Sequence, residues 1–340
     1  MKFNTIYNED CLTTLRRMEN DSIDCVVTSP PYFGLRDYGC GELEVGKEQT
    51  PSEYIDRLVE IFTEVYRVLK PSGTVWVNIG DTYNGNKKGN TQPKWTAANS
   101  DGFEKKEWRG CKHKDLIGIP WMFAFAMRDR IGFYLRQDII WHRPNQMPES
   151  VTDRCVKSHE YIFLLTKSEK YYFDYEAIQE QANCQNVKQL ENIKFGGNKY
   201  GDSDDAHYQT YSGNTYKPHM KNLHRNGQTV QGMHANRANG GKDAVYVVRR
   251  KRDVWSVNTQ PSTIEHCAMF PEKLIMPCIM AGCPRDGVVY DPFMGSGTTA
   301  LATIHSLGHR SFIGSELNPH YADTATKRVA PELAQLSIEF

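Results

Sequence analysis

Apolar residues in roughly the first eighty positions follow two alternating patterns. Short apolar, β-branched blocks in MKFNTIYNED, SIDCVVTSP and TVWVNIGD read as strands. Between the first two, CLTTLRRMEND carries Leu12 and Leu15 on a short helical turn. PSEYIDRLVEIFTEVYRVLK places Ile55, Leu58, Val59, Phe62, Val65, Tyr66 and Leu69 on one helical face. Pro71-Ser72-Gly73 then forms a stop signal. The order strand, helix, strand, helix, strand predicts a parallel α/β sheet.

Residues 82–114 break this rhythm with a loop rich in Asn, Gly, Lys and Trp. After it, IPWMFAFAMRDRIG predicts a helix, FYLRQDIIWHR a strand, and EYIFLLTKSEKYYFD a hairpin turning at Lys167 to Lys170. From about 183 to 242, Asn and Gly dominate and apolar periodicity disappears, so this stretch cannot build a core alone. It reads as a surface insertion. Its end, VYVVRRKRDVW, interleaves basic and aromatic residues. That mixture suits a nucleic-acid backbone and its bases, although a solvated charged face has the same composition. The last ninety or so residues resume α/β order. FPEKLIMPCIMAG, TTALATIHSLG and PHYADTATKRVA read as helices, with GVVYD and RSFIGSEL as strands. The expected organisation is a catalytic part over 1–182, an insertion over 183–255, and a second catalytic part over 256–340.

Composition narrows the partners. With 41 basic and 41 acidic residues the formal net charge is zero, so nucleic acid would have to meet a local basic surface. No run of eighteen apolar residues exists, and the first residues lack the apolar block of a signal peptide, so the expected compartment is the cytoplasm with no membrane partner. The nine cysteines contain no C-x-x-C pair. Cys278 and Cys283 are the closest approach to a metal motif, and His266 and Cys267 are unsuitably spaced to complete it. No metal is expected.

Two turns carry the candidate chemistry. In CVVTSPPYFG an apolar strand runs into Pro30 and Pro31, neither of which has an N–H to continue a ladder. In GVVYDPFMGSGTTALA, Gly295 and Gly297 lie between a strand and a helix, where backbone can approach a ligand closely. A phosphate-gripping P-loop needs a lysine after the second glycine, and a dinucleotide fingerprint needs a third glycine; both are missing. Glu316 ends the next strand, nineteen positions after Gly297, where an acid can accept from both hydroxyls of a ribose. Asp291, at the tip of the preceding strand, could meet an ammonium group.

TSPPY, DPFMGSGTT and Glu316 together resemble the amino-methylating DNA methyltransferases. The order of the motifs, catalytic turn first and cofactor turn late, is similar to the permuted beta group of that family. EHCAMFPEKL resembles its H-x-A-x-F-P motif, and RVLKPSGTVWVNIGD and DIIWHRPNQMPES resemble further family segments. The resemblance spans most of the chain apart from the two loop-rich stretches. It implies a Rossmann-like α/β methyltransferase fold: a mixed seven-stranded sheet with one antiparallel strand and a loop-rich target-recognition insertion. It implies S-adenosylmethionine as cofactor and double-stranded DNA as partner, with the target base flipped out of the helix. A homodimer and a cognate restriction endonuclease are left open.

By the same resemblance Ser29, Pro30, Pro31 and Tyr32 form the catalytic turn. The Ser29 hydroxyl and Pro30 carbonyl would accept from the target amine, drawing out its delocalised lone pair, while Tyr32 stacks on the base. Cofactor contacts are expected from Asp10, Cys11, Thr28, Phe270, Pro271, Asp291, Pro292, Phe293, Gly295, Ser296, Gly297, Thr298, Thr299, Glu316, Leu317 and Asn318. Asp10 could equally cap the following helix. DNA contacts are expected from Lys87, Lys88, Arg249, Arg250, Lys251 and Arg252. Family members with serine before the prolines most often methylate cytosine N4, and those with Asp or Asn adenine N6, so Ser29 favours cytosine. An RNA or protein-glutamine methyltransferase would usually place the cofactor motif first. A non-catalytic DNA-binding protein would not need the complete set of Ser29, Pro30, Tyr32, Asp291 and Glu316.

Overall fold

A computed structural model describes residues 1–35, 38–85, 110–181, 210–211, 214–215, 248–259 and 270–336. The chain divides into two units, one made of Met1–Ala177 with Arg252–Phe340 and the other of Ile178–Lys251.

In the first unit the strands are β1 (Thr5–Tyr7), β2 (Ile23–Thr28), β3 (Leu69–Ile79), β4 (Tyr134–His142), β5 (His159–Thr166), β6 (Val254–Ser256), β7 (Val288–Asp291) and β8 (Ser311–Ser315). They form one sheet in the order β1-β8-β7-β2-β3-β5-β4-β6. β5 runs antiparallel to both of its neighbours, and every other adjacent pair is parallel. The expected mixed α/β sheet is present, widened by an eighth strand: β6 pairs Trp255 with Trp141 along the outer edge of β4.

The helices are α1 (Cys11–Arg17), α2 (Pro51–Val68), α3 (Ile119–Ala126), α4 (Glu272–Gly282), α5 (Thr298–His305) and α6 (Pro319–Leu336). α2 starts where its sequence says it should. Thr50 accepts from the Glu53 amide, the Glu53 carboxylate accepts from the Thr50 amide, and Pro51 occupies the first turn. Tyr54, Ile55, Leu58, Ile61, Phe62, Val65 and Val68 are buried from this helix, whereas Val59 and Tyr66 flank the stripe and are partly buried. It ends at Val68, so Leu69 opens β3 instead of closing α2.

The expected hairpin over 160–174 is half present. β5 is a strand, but residues 171–174 are not. Both edges of β5 are already paired, with β3 and with β4, so no ladder remains for a second arm. Tyr172 N–H donates instead to the Ser72 carbonyl, and Asp174 N–H to that of Ala281. In the second unit, Glu180–Gln181 pairs antiparallel with Val248–Arg249, and Thr210–Tyr211 with Asn214–Thr215.

Candidate active site

β2 and β7 lie side by side and parallel, with Val289 opposite Cys25 and Tyr290 opposite Val26. From β2 the chain goes to β3 on one side; from β7 it goes to β8 on the other. Such a switch point leaves a crevice beyond the carboxyl ends of the strands. Both turns singled out in the sequence leave from it.

Asp291 ends β7 and ties the two turns together. One carboxylate oxygen accepts from the Thr28 hydroxyl at 2.6 Å and the Phe293 amide at 2.9 Å; the other accepts from the Thr299 hydroxyl at 2.6 Å. Thr28 belongs to β2 and Thr299 to α5, so a single carboxylate fastens the end of β2 to the glycine turn. It is 1% exposed, and burial pushes its carboxyl up to about 6, against the opposing effect of these three donors. With three acceptor directions taken, Asp291 works chiefly as a fastening.

Glu316 follows β8 and faces the glycine turn. The Gly295 amide donates to one of its oxygens and the Asn318 amide to the other, both at 2.8 Å. Each oxygen keeps a lone pair for another donor. Burial raises this carboxyl to about 7. Gly297 is left-handed, with φ of +89°, and a Cβ there would meet Ala325 at 3.0 Å, so the turn must be glycine to pass beneath α6. Arg328 of α6 grips the same turn, donating from Nη1 to the Ser296 carbonyl at 2.5 Å and the Ser296 hydroxyl at 3.0 Å. A half-buried acid with open lone pairs, beside amides at a helix start, has the donor and acceptor set that a cationic nucleoside requires.

The Ser29–Tyr32 turn is braced from four sides. The Tyr54 hydroxyl of α2 donates to the Pro31 carbonyl at 2.9 Å, and Gly34 N–H donates to the Gly46 carbonyl at 2.8 Å. The Tyr32 ring lies against Gly80, where a Cβ would come within 2.6 Å of a ring carbon. Its hydroxyl donates to Glu160 at 2.5 Å and faces the Asn78 amide oxygen at 3.1 Å. Glu160 is paired with Arg143 at 2.8 Å. Burial first, then Glu160, holds the Tyr32 phenol well above its ordinary pKa, so it stays protonated.

The remaining expected cofactor residues are distributed around this crevice. Asp10 caps α1, accepting from Leu12 N–H at 2.9 Å, and its other oxygen is 3.7 Å from Arg57. Cys11, the first residue of α1, is buried, and its thiol is pushed up by that burial. Pro292 is buried, Phe293 half-buried, and Thr298 starts α5 behind Gly297. Pro271 caps α4 next to half-buried Phe270. Asn318 donates to the Tyr38 carbonyl at 2.9 Å, and the Asn8 amide donates to the carbonyls of Glu316 and Leu317. The segment after the Ser29–Tyr32 turn thus reaches the residues beside Glu316. Glu44, 7% exposed, shapes that segment by accepting from the amides of Tyr38 and Cys40.

Among the expected DNA contacts, Lys87 and Lys88 lie outside the described residues. Arg249 is engaged with Glu180 at 2.9 Å in the second unit, so its charge is matched. Arg250 and Arg252 are exposed and Lys251 is half-buried. Among the described residues no grouping of three or more His, Cys, Asp or Glu could hold a metal ion, and no helix is long and apolar enough to cross a membrane. Tyr54, Asn78, Gly80, Arg143, Glu160 and Arg328 were not singled out from the sequence. Their contacts run to positions far along the chain; Asn78, Gly80 and Arg143 lie inside the family-like segments RVLKPSGTVWVNIGD and DIIWHRPNQMPES, but nothing in those segments marks what each residue faces.

A mixed sheet with one reversed strand and two turns at its switch point defines an S-adenosylmethionine-dependent methyltransferase fold. Solved structures share it. PvuII DNA methyltransferase (cytosine-N4-specific) aligns with a TM-score of 0.57 at 18% identity, over 96% of this chain and 90% of that one. A DNA modification methylase of Thermus thermophilus, complexed with S-adenosylmethionine, aligns with a TM-score of 0.52 at 20% identity, over 96% and 93%. In sequence, Type II methyltransferase M.Cfr9I of Citrobacter freundii is 39% identical over 329 residues, 96% of this chain and 88% of the relative. Type II methyltransferase M.SmaI of Serratia marcescens is 36% identical over 321 residues, 94% and 88%. The N6/N4 DNA methylase family matches residues 23–327, and the chain belongs to that family.

Proposed function

We propose that the protein methylates the N4 amine of cytosine at a specific sequence in double-stranded DNA. The observation that carries the proposal is Ser29, half-buried at the carboxyl end of β2 and one residue beyond the Thr28–Asp291 bond that joins the catalytic and cofactor turns. The name of the PvuII neighbour, cytosine-N4-specific, supports the same reading.

An aromatic amine is a poor nucleophile because its lone pair is delocalised into the ring. In this reading Ser29 Oγ and the Pro30 carbonyl would accept its two N–H groups; the Pro31 carbonyl already accepts from Tyr54. Accepting those protons' hydrogen bonds favours a more tetrahedral nitrogen with an available lone pair. S-adenosylmethionine, when bound, supplies a methyl group on a sulfonium, a good leaving group. Glu316 would accept from its ribose hydroxyls and the Gly295–Gly297 turn would pass its backbone along it, so the protein's contribution is mainly positioning. Tyr32, locked by Gly80 and Glu160, would present one ring face to a flipped base.

The unit Ile178–Lys251 is proposed to read the recognition sequence, with Arg250 and Lys251 at its end and Arg252 just beyond it as phosphate contacts. The type II names of M.Cfr9I and M.SmaI support a role in protecting that sequence from a cognate endonuclease. To test the base assignment, unmethylated DNA is incubated with the protein and labelled S-adenosylmethionine, digested, and its nucleosides identified by mass spectrometry. N4-methylcytosine is expected. N6-methyladenine would retain the mechanism and overturn the choice of base.

A further inference from the structure

Lys157 lies just before β5, at the end of the sheet where the Ser29–Tyr32 turn opens. Its ammonium donates to the Asp81 carbonyl at 2.7 Å, and Asp81 follows Gly80, the residue against which the Tyr32 ring lies. Arg143 N–H donates to the Ser158 carbonyl at 2.8 Å, which sets Arg143, just past β4, beside the same stretch. Lys157 thus stands on the rim of the crevice, joined to Tyr32 through the end of β3.

An ammonium has three N–H donors, and the Asp81 carbonyl takes one of those on Lys157. Among the described residues no carboxylate comes within ion-pairing distance of it, and the acids of this region are committed elsewhere. Asp81 Oδ1 accepts from the amides of Thr82, Gly118 and Ile119 at 2.9 to 3.1 Å, which holds the start of α3. Glu160 accepts from Tyr32, Asn78 and Arg143. In the loop leading to Lys157, Glu149 is paired with Arg154 at 2.8 Å and Asp153 with Lys114 at 2.6 Å. Arg143 also has a donor to spare: its Nε is buried and has no partner among the described residues. Lys157 is half-buried, and burial pulls its ammonium below the ordinary lysine value. A cation held where water serves it poorly, with no acid in reach to match it, calls for an anion.

DNA is the anion that the family's reaction brings to this rim. The chain has no net charge, so its contact with a polyanion has to come from local surpluses of this kind. A base lodged against Tyr32 brings its own stretch of backbone with it, and that backbone must pass over the rim.

We propose that Lys157 binds the phosphodiester next to the flipped nucleotide and so anchors the extruded strand over the Tyr32 pocket. The Asp81 carbonyl aims the ammonium and leaves its other N–H groups for phosphate oxygens. Such a contact positions the strand and carries no sequence information. Lysine suits it, as a compact charge with rotatable donors. The inference rests on the reading of the protein as a DNA amino-methyltransferase that flips its target base. S-adenosylmethionine also carries a carboxylate, so its affinity is measured alongside.

The test uses unmethylated bacteriophage λ DNA with the wild-type protein, Lys157→Gln, Lys157→Met and, as a control, Lys327→Gln, whose lysine is exposed and paired with Asp323 at 2.6 Å. Single-turnover methyl transfer is followed against DNA concentration at several concentrations of potassium chloride, so that only productive complexes count. The logarithm of the apparent association constant falls linearly with the logarithm of salt, and loss of one phosphate contact should make that slope shallower by about 0.9. Both Lys157 variants should show this change with weaker binding at low salt, whereas Lys327→Gln keeps the wild-type slope. Their dissociation constants for S-adenosylmethionine should stay within about twofold of wild type, as for a site independent of the cofactor. An unchanged slope in a Lys157 variant that binds cofactor normally would overturn the inference. So would lost cofactor affinity with an unchanged slope, which would give Lys157 to the cofactor carboxylate. The wild-type protein supplies a second measurement that needs no variant to fold. Duplexes of the mapped site carry one neutral methylphosphonate on either side of the target nucleotide. One of the two should make the wild-type slope shallower by about the same 0.9 and leave that of a folded Lys157 variant unaffected. No effect of either in the wild type, or an equal effect in both proteins, overturns the inference. Wild-type protein that methylates no exocyclic amine of the DNA would instead remove the reading on which the inference is built.

Discussion

Gly80 is glycine because Tyr32 lies where a side chain would be. A Cβ there would sit 2.6 Å from the ring, closer than any real contact, so Gly80→Ala must displace the Tyr32 ring. Overpacking of this kind costs about 1–3 kcal/mol of stability. The expected functional loss is greater than the loss of fold: methyl transfer falls by at least about tenfold while S-adenosylmethionine binding is retained, since a one-ångström displacement near the chemistry is costly. Rapid-quench transfer assays alongside calorimetric titration of the cofactor check both halves. The two cofactor-side acids carry a second residue-scale prediction. Burial raises Glu316 from 4.5 to about 7, so it becomes fully ionised only above that pH. An ionised carboxylate is the better acceptor for ribose hydroxyls, so the dissociation constant for S-adenosylmethionine should increase as pH falls below about 7, at most about tenfold per unit. Glu316→Gln should flatten that dependence and weaken binding throughout.

Among elements, the pairing of α6 with the cofactor turn is the contact the sequence conceals best. Arg328 donates twice to Ser296, thirty-two positions earlier, and nothing in PHYADTATKRVA marks that arginine as different from a surface one. Arg328→Ala removes both of these bonds, a loss of about 1–3 kcal/mol for a buried acceptor. The predicted outcome is a KM for S-adenosylmethionine raised about tenfold or more with kcat changed little, read from steady-state kinetics at saturating DNA. The elements themselves were legible where their patterning is local. The strands β2, β3, β7 and β8 and the helices α2, α4, α5 and α6 follow from apolar runs, helical stripes and proline or glycine boundaries. The second arm of the 160–174 hairpin failed because pairing is not local: its alternating residues read as a strand, but β3 and β4 had already taken both edges of β5. β6 was missed for the converse reason, being three residues long and defined only by β4 beside it. Ser29 to Tyr32, Gly295 to Gly297 and Glu316 were visible because each is bound to a turn or a strand end. Tyr54, Asn78 and Glu160 were not, since a buried tyrosine, asparagine or glutamate on a regular element carries no mark of what it faces.

At the scale of the molecule, three groups around the glycine turn link pH to the fold with the same sign, while His159, lowered by burial, opposes them only below its ordinary value of 6.5. Asp291 and Glu316 have carboxyls raised by burial, to about 6 and about 7, and His305 is raised by bonding to Glu272 at 2.7 Å and Glu332 at 3.3 Å. A folded pKa above the unfolded one means the folded state holds the proton more tightly. The associated stability is then complete below the unfolded pKa and lost as pH rises through the folded value. For His305, whose ordinary value is 6.5, that loss begins above about 6.5. The histidine links α5 to α4 and α6, so its deprotonation loosens the packing behind the cofactor turn. The melting temperature of the free protein should therefore fall between pH 6 and pH 8. His305→Gln should remove part of that fall, and S-adenosylmethionine should oppose it by binding the folded state. A wild-type melting profile that rises over this range would contradict the assignment.

The whole account converges on Ser29 as the acceptor that prepares the target amine, and one measurement addresses it directly. The single-turnover rate of methyl transfer to DNA and the affinity for S-adenosylmethionine are determined for Ser29→Ala. A rate lower by about a hundredfold or more, with cofactor affinity within about twofold of the wild type, is the predicted result. Transfer at the wild-type rate would contradict it, because the amine would then be prepared by some other group.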